Sequence, residues 1–157
     1  MFKRILIPLD GSDLAEKALP SAIALAHQFG SKLILIRMVE VSYPTLLSPH
    51  LTSATAVTMS ESYEQAHRAA EAYLLAQQKA LQQDGLDVEV IMCEATPADG
   101  ILYTASEYHI DCIVMSTHGR GGLARWTLGS VADKVARHAP CPVLLVRQNA
   151  IIDQDNP

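Results

Sequence analysis

Apolar residues gather in five short runs along the chain, separated by stretches with helical spacing. KRILIPLD (3–10) is a brief apolar run that stops at Asp-Gly-Ser, the pattern of a buried strand entering a turn. KLILIRMV (32–39) is apolar almost throughout, as in a strand covered on both faces of a parallel sheet. LDVEVIMCE (86–94) alternates and is β-branched, and DCIVMS (111–116) and CPVLLVR (141–147) supply two more strands.

Helices fill the intervals. In residues 13–30, Leu14, Ala18, Ala22, Ala26 and Phe29 share one helical face, Ser12 or Asp13 can cap the start, and Gly30 supplies the stop. Pro20 interrupts this pattern and predicts a kink. Residues 42–59, with Pro44, Pro49 and many Ser and Thr, read as a long loop; an Ala-, Gln- and Glu-rich helix then runs from about Ser60 to Asp84, closed by Gly85. Thr96-Pro97 with Asp99 opens a further helix. The last helix is GSVADKVARHA (129–139), with Val131, Val135 and Ala139 on one face.

Strands alternating with helices require a parallel sheet with right-handed crossovers. The predicted fold class is α/β: a single-domain, Rossmann-like open sheet of five parallel strands in order 3-2-1-4-5, with helices on both faces. It occupies residues 1–147, and residues 148–157 form a loose tail. Such sheets bind ligands beyond the carboxyl ends of their strands where the order reverses, here between the first and fourth strands. Those ends are IPLDGS and VMSTHGRGG.

The second of them opens STHGRGGLARWTLGSVADKV (116–135), which holds Gly119, Gly121, Gly122 and Gly129, four of the chain's eight glycines. Glycine permits sharp turns and close approach of a ligand to the main chain. Gly129-Ser130 precedes the last helix, whose free N–H groups form an anion site; Ser130 can cap that helix or offer its hydroxyl to a phosphate. Arg120 adds a cation. Charge is distributed to match: residues 116–147 carry five basic side chains and one acidic, a net of +4, while the remainder carries seven and sixteen, a net of −9. A solvated basic helix face would give the same count.

The overall charge of −5 disfavours nucleic acid and anionic membrane as partners. MFKRILIPLDGS provides neither a secretory apolar core nor a membrane span, so a soluble cytoplasmic protein without membrane insertion is expected. Cys93, Cys112 and Cys141 are odd in number and lack C-x-x-C spacing, which argues against disulfides and structural zinc and for small buried hydrophobes. The histidines show no metal-ligand spacing. There is no Walker G-x-x-x-x-G-K-[ST], and no G-x-S-x-G. Gly119-Arg-Gly121-Gly-Leu-Ala124 matches the loose dinucleotide pattern G-x-G-x-x-A, but it follows the fourth strand and lacks the acidic residue that should come about twenty positions on. Asp10 can accept hydrogen bonds from a ribose, hold a metal through water, or cap its own turn; Met38 can pack on a purine or in the core. His118 can touch a phosphate or simply hydrogen-bond within its loop.

ILIPLDGS at the start and STHGRGGLARWTLGSVADKVARHAPCPVLLVR at the end resemble the universal stress protein family, over residues 2–147. The most specific element is the nucleotide motif G-x2-G-x9-G-[ST], represented by Ser116, Gly119, Gly129 and Ser130, with Ser116 in place of the first glycine. The resemblance implies an adenine nucleotide alpha hydrolase-like fold. It also implies that Pro8, Leu9, Asp10, Met38, Met115, Ser116, His118, Gly119, Gly129, Ser130 and Val131 contact ATP or AMP, Mg²⁺ entering through the phosphates, with Arg120 beside them. Serine at 116 is expected to retune the site rather than abolish it. The implied role is a regulatory nucleotide-binding protein of the stress response that acts on a partner protein as a homodimer through its C-terminal strand. A slow ATPase or phosphotransfer enzyme using Asp10, and a dimeric interaction module without nucleotide, are the alternatives. No catalytic dyad is visible.

Overall fold

Successive strand residues point to opposite faces of a sheet, so a run that is apolar at every position must be covered twice. The computed structural model, which describes residues 1–39, 53–117 and 128–147, meets that requirement. Strands β1 (Arg4–Pro8), β2 (Lys32–Met38), β3 (Val88–Cys93), β4 (Cys112–Ser116) and β5 (Val143–Val146) form one sheet in the order β3-β2-β1-β4-β5. Every neighbouring pair is parallel, as the alternation of elements requires.

Helices α1 (Asp13–Glu16), α2 (Leu19–Phe29), α3 (Ser53–Gln83), α4 (Pro97–Glu107) and α5 (Ser130–His138) complete the crossovers. The sheet separates two cores, sorted by the period-2 pleat. Ile5, Ile7, Leu33, Leu35, Cys112 and Val114 face Ala15, Ala18, Ala22 and Ala26 of the first crossover and Leu74 and Leu81 of α3. Leu6, Ile34, Ile36, Ile113 and Met115 face Ala98, Ile101 and Ala105 of α4 and Ala132 and Val135 of α5. Full burial of each such side chain contributes roughly 1.5–3 kcal/mol, so these residues dominate the stability of the domain.

Three local expectations are corrected. Pro20 does not kink one helix; α1 stops at Glu16 and α2 starts at Leu19 with Pro20 in its first turn. First-turn N–H groups have no helical acceptor, so a proline there forfeits nothing and begins a new helix. Phe29 leaves the predicted apolar face: it is 42% exposed and meets Phe2 edge-on, ring centroids 5.3 Å apart. Helix α3 begins at Ser53 rather than near Ser60, so residues 53–59, read as loop, are helical. Ala54, Ala56 and Met59 are good helix formers with no proline or glycine among them, which outweighs the interspersed Ser and Thr. The rest of the predicted 42–59 loop and the 148–157 tail lie outside the described residues. Of the cysteines, Cys112 is buried while Cys93 and Cys141 are half-buried, and all three are free thiols.

Leu6 exposes none of its surface and sits centrally, so Leu6→Ala should lower the unfolding free energy by about 2–5 kcal/mol. Tyr103, 64% exposed on α4, provides the contrast: Tyr103→Ala should change it by less than about 0.5 kcal/mol. Urea unfolding of both variants checks the pair.

Candidate functional site

β1 and β4 are neighbours whose following helices lie on opposite faces, the arrangement that in open parallel sheets sets the ligand crevice beyond the carboxyl ends of the two strands. Pro8, Leu9 and Asp10 form one lip. The Leu9 amide donates to the Ile36 carbonyl at 2.8 Å, carrying the β1–β2 pairing one residue past Pro8. The Leu9 side chain is buried in the core, so only its main chain is left to face the crevice. Met115, Ser116 and Thr117 form the other lip. Met115 is buried, Ser116 is half-buried, and the Thr117 amide donates to the Val146 carbonyl at 3.1 Å.

Helix α5 starts beside that second lip. The Gly129 amide donates to the Thr117 carbonyl at 2.9 Å, and the Gly129 carbonyl accepts the first intrahelical bond, from the Asp133 amide, at 2.9 Å. Gly129 is therefore the N-cap, in extended conformation (φ −60°, ψ 150°), and no side chain caps the helix. Ser130 is the first helical residue and is exposed, which corrects its expected capping role. The N–H groups of Ser130, Val131 and Ala132 precede the first internal donor, so no helical carbonyl can accept from them. They carry the positive end of the helix dipole, where an anion is favoured by about 0.3–1 kcal/mol at an exposed site and more when partly buried. Val131 is half-buried against the α4–α5 core.

The positive charge expected of this segment is partly neutralised. Lys134 pairs with Asp99 of α4 at 2.6 Å, and Arg137 pairs with Asp133 at 3.0 Å. These partners hold the carboxyls of Asp99 and Asp133 below the usual range: Lys134 and Thr96 donate to the first, Arg137 to the second. Neither cation projects an unopposed charge into the crevice. The motif residues His118, Gly119 and Arg120, with Arg125, lie outside the described residues.

Asp10 performs the turn-capping role that the sequence offered as one alternative. Its Oδ1 accepts from the Ser12 amide at 2.9 Å and from the Ser12 hydroxyl, while Ser12 Oγ accepts from the Ala15 amide at 3.2 Å and caps α1. Between them Gly11 adopts φ +80°, a left-handed conformation. The Arg37 guanidinium lies against it: a Cβ at Gly11 would stand 2.9 Å from Arg37 Nη1. Arg37 also covers the Tyr73 ring at 5.0 Å, and the Tyr73 hydroxyl donates to Glu16 Oε1 at 2.7 Å. Burial, then the Glu16 carboxylate, push the Tyr73 hydroxyl well above the ordinary phenol range. This bracing of the Asp10 turn by β2, α3 and α1 was not anticipated. Its one visible signal was Arg37 itself, the only charge after Lys32 in an otherwise apolar strand.

Met38 is half-buried and packs on the α4–α5 core, so its core-packing role is present. Among the described residues no three His, Cys, Asp or Glu side chains gather as metal ligands. Nor is any described helix long and apolar enough to cross a membrane.

Comparison with known proteins gives a consistent result. Residues 1–147 match the family model described as the universal stress protein family. The chain is 35% identical to universal stress protein MJ0531 of Methanocaldococcus jannaschii over 94% of its length and 84% of that protein's. Among solved structures, universal stress protein UspA from Lactobacillus plantarum superposes with a TM-score of 0.79 at 25% identity, covering 93% of this chain and 98% of that one. A universal stress protein family protein from Arabidopsis thaliana, solved with AMP bound, shares the fold at 16% identity, with a TM-score of 0.63 over 94% of this chain and 93% of that one.

The braced turn yields a prediction. A side chain at Gly11 must adopt left-handed backbone and also displace Arg37 from Gly11's main chain; Gly11→Ala should therefore cost about 1–2 kcal/mol, chiefly from the backbone term. Adding Arg37→Ala should recover only the smaller, steric part. Equilibrium denaturation of the single and double variants measures both.

Proposed function

We propose a function that proceeds from one premise: this chain belongs to the universal stress protein family. It binds an adenine nucleotide, ATP or AMP, in the crevice between β1 and β4, and through occupancy of that site regulates a partner protein of the cytoplasmic stress response.

The observation that carries this reading is the Gly129–Thr117 hydrogen bond. It holds the N-terminus of α5 beside the carboxyl end of β4, so that first-turn amides, which have no helical acceptor, start next to that strand end. Phosphate oxygens fit there because backbone N–H groups and the helix dipole favour negative charge, and because a glycine N-cap lets an anion approach the main chain. Across the crevice Asp10, held by Ser12, offers a carboxylate to a ribose hydroxyl. Pro8 and the Leu9 main chain line the intervening wall, with Met115 and Ser116 opposite and Met38 towards the purine. His118, Gly119 and Arg120, outside the described residues, are assigned to the phosphate end by the family motif alone. The AMP held by the Arabidopsis fold neighbour is consistent with this ligand class. Mg²⁺ would be supported by the phosphates and their waters and would screen the negative charge of the triphosphate.

The chain acts as a homodimer through β5. This strand ends the sheet, spans Val143–Val146 and leaves Leu144 40% exposed. An apolar strand at the edge of a sheet invites a further strand, and a symmetry-related β5 would serve both copies at once.

Two measurements test these assignments. Gly129 has an extended backbone that any residue tolerates, so Gly129→Val should fold normally while its side chain intrudes on the phosphate. Calorimetric titration should show ATP and AMP binding weakened at least about tenfold, or roughly 1.4 kcal/mol; unchanged affinity in the folded variant would contradict the site. Leu144→Asp should convert a dimer to a monomer by light scattering, and a wild-type chain that is already monomeric would refute the second assignment.

A further inference from the structure

Gly100 lies in the first turn of α4, a place where helix propensity gives glycine no advantage. Its surroundings supply the reason. A Cβ built there would stand 3.0 Å from Met38 Cγ, 3.3 Å from Cys93 Sγ and 3.3 Å from Ala95 Cβ. Met38 and Cys93 are paired across β2 and β3, so the last side chain of β2 lies back into a notch in α4 that only a glycine leaves open.

Met38 also ends β2, at the carboxyl edge of the sheet, the edge beyond which open parallel sheets bind ligands. The β1–β2 pairing runs to Leu9, whose amide reaches the Ile36 carbonyl at 2.8 Å, so Met38 stands at the level of the Asp10 turn. Helix α5, whose N-terminus borders the same crevice, shares the α4 face of the sheet with Met38 and is tied to α4 by the Lys134–Asp99 pair at 2.6 Å. With Cys93 Sγ and Ala95 Cβ at 3.3 Å, Met38 Cγ is the nearest atom to a Cβ at Gly100 and the one that must yield, away from α4.

We infer that Gly100 is a positioning residue for the base end of the nucleotide site: by receiving Met38 into α4 it sets the clearance in which a purine ring can lie on the methionine. This inference rests on the adenine-nucleotide reading above. Gly100 itself touches no ligand. A contact of 3.0 Å requires Met38 to give by a few tenths of an ångström, and methionine is flexible enough to do so. The consequence is a narrower slot for the base with the phosphate end untouched.

The test is a set of titrations with AMP and with ribose 5-phosphate, which carries the sugar and phosphate without the base, on wild type, Gly100→Ala, Met38→Ala and the double variant. Gly100→Ala should bind AMP about tenfold more weakly, the scale of a misplaced methylene in an apolar pocket, with ribose 5-phosphate unchanged. Its melting temperature should not fall in proportion, because alanine improves the helix. Met38→Ala removes the crowded Cγ, so the double variant should fold even where Gly100→Ala does not, and should bind AMP as Met38→Ala alone does. Gly100→Ala with wild-type AMP affinity, an equal loss of ribose 5-phosphate, or a further loss of AMP on adding Gly100→Ala to Met38→Ala would each overturn the inference while leaving the nucleotide site standing. A wild-type chain that binds neither probe would overturn both.

Discussion

Ile5, Leu6 and Ile7, three consecutive residues of β1, expose none of their surface, and that two-sided burial organises the molecule. A strand buried on both faces can sit only in the interior of a sheet with a layer of helices above and below. Once β1 is central, right-handed crossovers carry the chain first outward through β2 and β3 and then back to the other flank through β4 and β5. The reversal beside β1 is therefore a consequence of filling both flanks of one strand. The crevice at its carboxyl end is the gap between two crossovers that leave in opposite directions.

What converts this gap into a candidate binding site is the treatment of main-chain groups. On the β4 side a main-chain hydrogen bond, Gly129 to Thr117, ties the start of α5 to the strand end. The glycine cap has no side chain to bond the first amides of the helix, where an aspartate or serine cap would have occupied one of them. On the β1 side a similar economy holds: Leu9 is paired through its backbone and Asp10 is locked by Ser12. Both lips are held largely through the main chain, which suits recognition of phosphate and sugar, groups that present oxygen atoms rather than distinctive shapes. Lys134 and Arg137, by contrast, pair with Asp99 and Asp133 at the surface. Such exposed pairs contribute little, and less as salt rises.

Much of this was legible in the sequence, and the residues that escaped share a physical cause. The five apolar runs identified all five strands, and alternation with helices dictated their order, because period and length are properties of contiguous sequence. Pro20 was a visible break, but whether a proline bends a helix or restarts one depends on where the preceding turn ends, and Lys17 and Ala18 do not announce that. The start of α3 was placed late because Ser and Thr at 53, 55 and 58 resemble loop, while the alanines between them favour helix. Asp10 was read as either turn cap or ligand contact, and the structure shows the turn-capping bonds. The Arg37–Tyr73–Glu16 bracing joins residues on three different elements, a juxtaposition that no local pattern encodes.

Gly100 shows how the two kinds of information meet. A glycine inside a helical pattern costs about 1 kcal/mol relative to alanine, so it signals close packing wherever it is retained. That signal was present between Asp99 and Ile101, yet it could not name the neighbour. Only the sheet register, which sets Met38 beside Cys93 and both beneath α4, identifies the side chain that needs the space. The same register places the methionine level with the Asp10 turn. On the proposed reading, a packing contact between α4 and β2 is in this way also a dimension of the crevice, because in an open parallel sheet the last residue of a strand can belong to the core on one side and to the ligand's side on the other.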